Sequence, residues 1–161
     1  MAQVKLTIWA YKPAAFTGYS FLMGSAVSLW TQSEWCHIGF SLADYYYEAD
    51  FADGVVRLTR VPDGAVNAGE FMVDETVVDF ADRQVGKKYD VWGALGFVLG
   101  DTKEDREFKK LWFCSELAVA AMRKSKLTIL ETYKAWQIFP GMLVDALFRS
   151  CTHGQQETHA E

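Results

Sequence analysis

The chain has 161 residues, half of them apolar, with 6 Trp and only 3 Pro, the make-up of one packed domain with a sizeable core rather than a disordered or fibrous chain. Its formal net charge is −5 and no run of Lys or Arg is longer than pairs such as Lys87-Lys88 and Lys109-Lys110, which leaves no electrostatic footprint for nucleic acid. Cys36, Cys114 and Cys151 are an odd set without CxxC spacing, which argues against a disulfide framework and a zinc site and makes reduced thiols the default.

At the start, MAQVKLTIWAYKP lacks the charged opening, apolar centre and cleavage site of a secretory signal, and no apolar stretch is long enough to span a bilayer. A chain that stays in the cytoplasm, or is carried by a virus, is therefore expected. Val4 to Ala10 reads as an opening strand, followed by a turn near Lys12-Pro13. From Gly18 to Trp30 the apolar positions Phe21, Leu22, Ala26, Leu29 and Trp30 recur at helical spacing and predict a helix that packs one face inward. After a polar break at Thr31 to Glu34, two strands follow, Trp35 to Leu42 and Tyr45 to Phe51, joined at Ala43-Asp44. A third, Val55 to Val61, comes after the Asp53-Gly54 turn signal, and together they predict an antiparallel meander.

Acidic residues in its opening turn and an apolar stripe through Val77, Val78, Phe80, Ala81 and Val85 predict a helix from Asp74 to Val85, stopped by Gly86. A second helix is expected over Val91 to Leu99. Gly100 to Lys110 is densely charged and reads as a solvated loop, with a short helix around Glu104 to Lys109. In LWFCSELAVAAMRKS, Leu117, Ala118, Ala121 and Met122 share one helical face and Arg123 and Lys124 suit the helix end, so Cys114 falls at or just before the first turn. A final apolar segment from Tyr133 through Phe148 closes a single domain spanning residues 1–149, and 150–161 reads as a polar, disordered tail.

Chemistry centres on Cys114. A helix N-terminus favours the thiolate, because its unpaired N–H groups attract negative charge, and it offers the same groups to an oxyanion. A Cys between Phe113 and Ser115 is also a common core residue. Its natural partner is His37, the one histidine in a structured segment, since His153 and His159 lie in the polar tail; alone, such a histidine would be a hydrogen-bonded strand residue. Strand alternation puts Cys36, Ile38, Phe40 and Leu42 on the core face and His37, Gly39 and Ser41 on the other, so Cys36 reads as packing. A two-residue turn at Ala43-Asp44 pairs Leu42 with Tyr45, Gly39 with Glu48 and His37 with Asp50. Glu48 then becomes the diagonal neighbour of His37, able to orient its ring, with Asp50 as competitor and a solvated pair of carboxylates as the plain alternative.

These residues resemble the NlpC-type cysteine peptidases, in particular their circularly permuted, YiiX-like branch of the papain fold. The ordinary branch carries GxPYxWGG, then DCSGLV, then a strand histidine. GKKYDVWGALG, from Gly86 to Gly96, resembles the first piece, and FCSELAVAAMRKSKL, from Phe113, the second, while the histidine of SEWCHIGFSL precedes both and YYYEAD supplies an acid, as in the permuted branch. The resemblance covers roughly Trp35 to Lys126. It implies an α+β papain-like fold with an antiparallel sheet packed against the Cys-bearing helix. Cys114 is then nucleophile, His37 base and Glu48 orienting acid, with Tyr89 beside the site and Ser115 in the substrate-binding motif. Glu116 stands where the ordinary branch has Gly, and Lys88 where it has Pro. The implied reaction is hydrolysis of a peptide or isopeptide bond, such as a cell-wall peptide, through a thioester, with neither metal nor cofactor. The same site also resembles acyltransferases of the lecithin:retinol type, which would suit an apolar or membrane-facing patch built from Trp92, Phe97 and Leu99. A non-catalytic binding module on the same fold is the remaining alternative.

Overall fold

Two hydrophobic strand signals, one at the N-terminus and one after Cys36, nucleate the same sheet. The computed structural model describes residues 2–91 and 111–154. β1 (Gln3–Tyr11) buries Leu6, Ile8, Ala10 and Tyr11. β2 (His37–Leu42), β3 (Tyr45–Asp50) and β4 (Gly54–Leu58) form the expected meander. Ala43 takes φ of 51°, the left-handed conformation that a two-residue hairpin turn demands, and Leu42 pairs with Tyr45 across it. β4 ends at Leu58, three residues short of the expected Val61.

A fifth strand, β5 (Val66–Asp74), went unrecognised in the sequence because its period is broken. The ladder to β1 shifts between Ile8 and Trp9, Gly69 interrupts the apolar pattern, and Met72 faces solvent. The sheet has the order β4-β3-β2-β1-β5, with every neighbouring pair antiparallel. Because β5 runs through Asp74, the next helix, α2 (Thr76–Asp82), is shorter at both ends than the expected span from Asp74 to Val85. Gly86 does adopt a left-handed φ of 83° just beyond it.

Two short strands, β6 (Lys88–Tyr89) and β7 (Leu111–Trp112), pair in parallel and deliver the chain to α3 (Cys114–Lys124). The last helix, α4 (Pro140–Gly154), continues past Ser150, so the first residues of the expected tail are helical. The helix expected over 91–99 and the charged loop over 100–110 fall almost wholly outside the described residues, as does 155–161.

One apolar core joins these layers. Ile38, Phe40 and Leu42 of β2 meet Leu117, Ala118, Ala121 and Met122 of α3, while Leu143, Val144 and Leu147 of α4 cover the β1–β5 side. The fold is thus α+β, with a five-stranded antiparallel sheet packed against helices.

The first helix, α1 (Gly18–Thr31), forms where its periodicity predicts but does not pack as predicted. Gly24 is its only buried residue, and Phe21, Leu22, Leu29 and Trp30 are exposed rather than turned into the core. The reason is geometric: the helix closes the side of a cavity instead of lying on the sheet, so its apolar residues divide between the cavity wall and the outer surface. Its close seat depends on Gly24, where a side-chain carbon would stand 3.0 Å from Cys36 Sγ.

Candidate active site

Cys114 is the first residue of α3, preceded by Phe113 in an extended conformation. The N–H groups of that first turn have no intrahelical acceptor and point out of the helix end. The β6–β7 pairing sets Tyr89 beside Trp112, and the Asp90 N–H donates to the Trp112 carbonyl at 2.9 Å, which brings Tyr89 alongside the cysteine.

His37 opens β2 opposite Tyr11, the last residue of β1, at the end of the sheet where α3 begins. There the imidazole and the Cys114 side chain line the same cavity, near enough for the Cys114 charge to act on the ring. The expected register holds: Gly39 pairs with Glu48, so Glu48 is the diagonal neighbour of His37, and His37 Nε2 lies 2.7 Å from Glu48 Oε2. With Nε2 engaged by the carboxylate, Nδ1 is the nitrogen left to face the sulfur. Asp50, the competing acid, instead accepts the N–H groups of Ala52 at 2.8 Å and Asp53 at 3.1 Å, closing the turn into β4. Glu48, and not Asp50, is thus the acid that meets the ring.

Glu48 has a second partner that sequence reasoning did not assign. Tyr46, on the same strand face, donates its hydroxyl to Glu48 Oε2 at 2.8 Å. Its ring lies over Gly39, where any Cβ would stand 1.9 Å from the hydroxyl. The signal was legible in part, since a glycine diagonally opposite an aromatic residue marks a place where a ring crosses the backbone. Tyr11 and Phe16 pack against the imidazole at centroid distances of 5.6 and 5.8 Å and screen it from water.

Electrostatics follow from this packing. Burial pulls the His37 pKa down, but the Cys114 charge and the hydrogen bonds to Cys114 and Glu48 outweigh it and push the imidazole up to about 10. Glu48 is held below its ordinary value because the His37 and Tyr46 hydrogen bonds outweigh its burial. Tyr89 is raised by burial and by the Cys114 charge. Cys36 is a buried thiol pushed up to about 12 by desolvation and by the Cys114 charge, and its Sγ donates to the Tyr11 carbonyl at 3.4 Å, in keeping with a packing role.

The structure therefore brings Cys114, His37, Glu48 and Tyr89 together. Ser115, expected to contact substrate, does not join them. Its side chain is fully buried and donates to the Ile138 carbonyl at 2.6 Å, because one residue further along a helix turns the side chain away from the site and into the core. Among the described residues no group of three or more His, Cys, Asp or Glu could hold a metal ion. A cavity of about 450 Å³ opens beside Cys114 and His37, with α1 as one wall. In comparisons with known proteins, no protein family, curated relative or solved structure matches this chain.

Proposed function

We propose that this chain is a cysteine hydrolase on a circularly permuted papain-like fold, acting on an amide or ester carbonyl through a thioester acyl-enzyme. The observation that carries it is the grouping of Glu48, His37 and Cys114, in which an acid holds one ring nitrogen at 2.7 Å and the imidazole and the thiol line one cavity. The order histidine, acid, cysteine in the chain supports the permuted topology, and a cytoplasmic setting would keep the thiol reduced.

In the first half-reaction Cys114 Sγ attacks the carbonyl carbon and a C–S bond forms. The oxyanion meets the N–H groups of the first turn of α3. The bond to the leaving nitrogen or oxygen then breaks, and the His37 imidazolium protonates that atom. In the second half-reaction water enters, gives its proton to His37 and attacks the thioester, and Cys114 leaves as the thiol. Peptide or isopeptide bonds of the cell-wall type are the substrates that the resemblance suggests.

Iodoacetamide distinguishes this site from a merely packed cysteine. Cys114 should be alkylated at least tenfold faster than Cys36, with hydrolysis lost in parallel and absent in Cys114→Ala. Equal labelling of the thiols at neutral pH would remove the activated nucleophile.

A further inference from the structure

Polar side chains on the His37 face of the sheet find their partners diagonally across the strands. Trp9 Nε1 donates to Ser41 Oγ at 2.7 Å, and Glu48 Oε2 meets His37 Nε2 at the same distance. Tyr11 breaks this pattern. As the last residue of β1 it stands opposite His37, and it is only 1% exposed. Among the described residues its hydroxyl has no hydrogen-bond partner. A buried hydroxyl without a partner costs stability that Phe in the same place would not, so its presence calls for a reason.

The groups around that hydroxyl belong to the site. The Tyr11 ring lies 5.6 Å from the His37 imidazole and 6.5 Å, edge to face, from the Tyr46 ring, centroid to centroid. Burial raises the Tyr11 pKa, the Tyr46 hydroxyl pulls it back and the Glu48 charge pushes it up again, so both neighbours act on the Tyr11 oxygen. Tyr46 is likewise raised by burial and by the Glu48 charge, and both phenols keep their protons at neutral pH. Each then has one proton to donate. Tyr46 gives its own to Glu48 Oε2 at 2.8 Å, which leaves the lone pairs of Tyr46 Oη to accept. A buried donor without an acceptor thus stands beside an acceptor with room for a donor.

We infer that Tyr11 is a further positioning residue of the site, its hydroxyl donating to Tyr46 Oη so that β1 steadies the hydroxyl that holds Glu48 and, through Glu48, the imidazole. The role rests on the hydrolase reading above, in which the ring must face the thiol. A short rotation of the Tyr11 side chain makes the bond, and its effect is felt one step on. A hydroxyl that accepts a hydrogen bond becomes a stronger donor, by about 10–30% per bond. Tyr46 then holds the Glu48 carboxylate more firmly, at the oxygen that meets Nε2.

Tyr11→Phe keeps the ring and removes only the hydroxyl, so a packing role alone would leave the site unchanged. Glu48 is read directly on the full chain, by NMR titration of its carboxyl carbon. Tyr11→Phe should raise the proton affinity of Glu48 about threefold and slow iodoacetamide alkylation of Cys114 by about the same factor. In a Tyr46→Phe background, adding Tyr11→Phe should move neither quantity, since the hydroxyl that receives the bond is gone. An unaltered Glu48 titration in Tyr11→Phe overturns the inference, and so does a fall in urea stability with that titration unmoved, the mark of a residue that serves only the fold. An equal effect in both backgrounds overturns it too, because Tyr11 would then act on Glu48 without Tyr46. If Cys114 of the wild-type protein reacts no faster than Cys36, the hydrolase reading fails, and the Glu48 titration still decides the role of Tyr11.

Discussion

A methyl group at Gly39 would fall 1.9 Å from the Tyr46 hydroxyl, which makes the smallest side chain in β2 a condition for the orientation of the histidine two residues before it. The ring over that gap donates to Glu48 Oε2, the same oxygen that meets His37 Nε2. Hydrogen bonds to charged groups are worth about 1.5–3 kcal/mol. Tyr46→Phe should therefore let the Glu48 pKa rise and loosen its hold on the ring, lowering the iodoacetamide rate of Cys114 about tenfold at neutral pH. An unchanged rate would remove Tyr46 from the site. The identities of Cys114, His37 and Glu48 could be read from helix and strand periods and one hairpin register. Tyr46 could not be ranked above Asp50 in the same way, since both share the histidine's strand face and only their side-chain partners tell them apart.

The value of α3 to the site lies in where it starts and what holds it there. Leu117, Ala118, Ala121 and Met122 bury one face against the sheet, and Ser115 anchors the first turn to the Ile138 carbonyl. Ser115→Ala leaves that buried acceptor without its partner, and the cost should be about 1–3 kcal/mol in urea unfolding. Cys114 alkylation should stay within about twofold of wild type, because the hydroxyl faces the core; a large loss of thiol reactivity would return Ser115 to the substrate site. Elements with unbroken periods, such as β1, β2, β3 and α3, were legible in the sequence. β5 was not, because a bulge shifts its pairing part-way along, and β6 and β7 are too short to carry a period.

For the molecule as a whole, two partly buried groups tie stability to pH in the same direction. Burial and the Asp90 charge push Glu116 up from 4.5 to about 7. Because the folded form holds that proton more tightly, stability is full below 4.5 and falls as pH rises through about 7. His37, raised from 6.5 to about 10, continues the decline as pH climbs across that interval. Glu48, lowered, acts oppositely and is lost only in acid. Chemical denaturation should thus give greatest stability near about pH 5, and Glu116→Gln should flatten the slope between about pH 4.5 and 7; an unchanged slope there would show that Glu116 is not its source. By itself the sequence determined an α+β chain with a meander and a cysteine at a helix start, since residue spacing fixes local periods and short registers. Only the tertiary structure decided that the α1 stripe faces outward around a cavity and that Ser115 faces inward. A period says that one side is apolar, but not what stands opposite it.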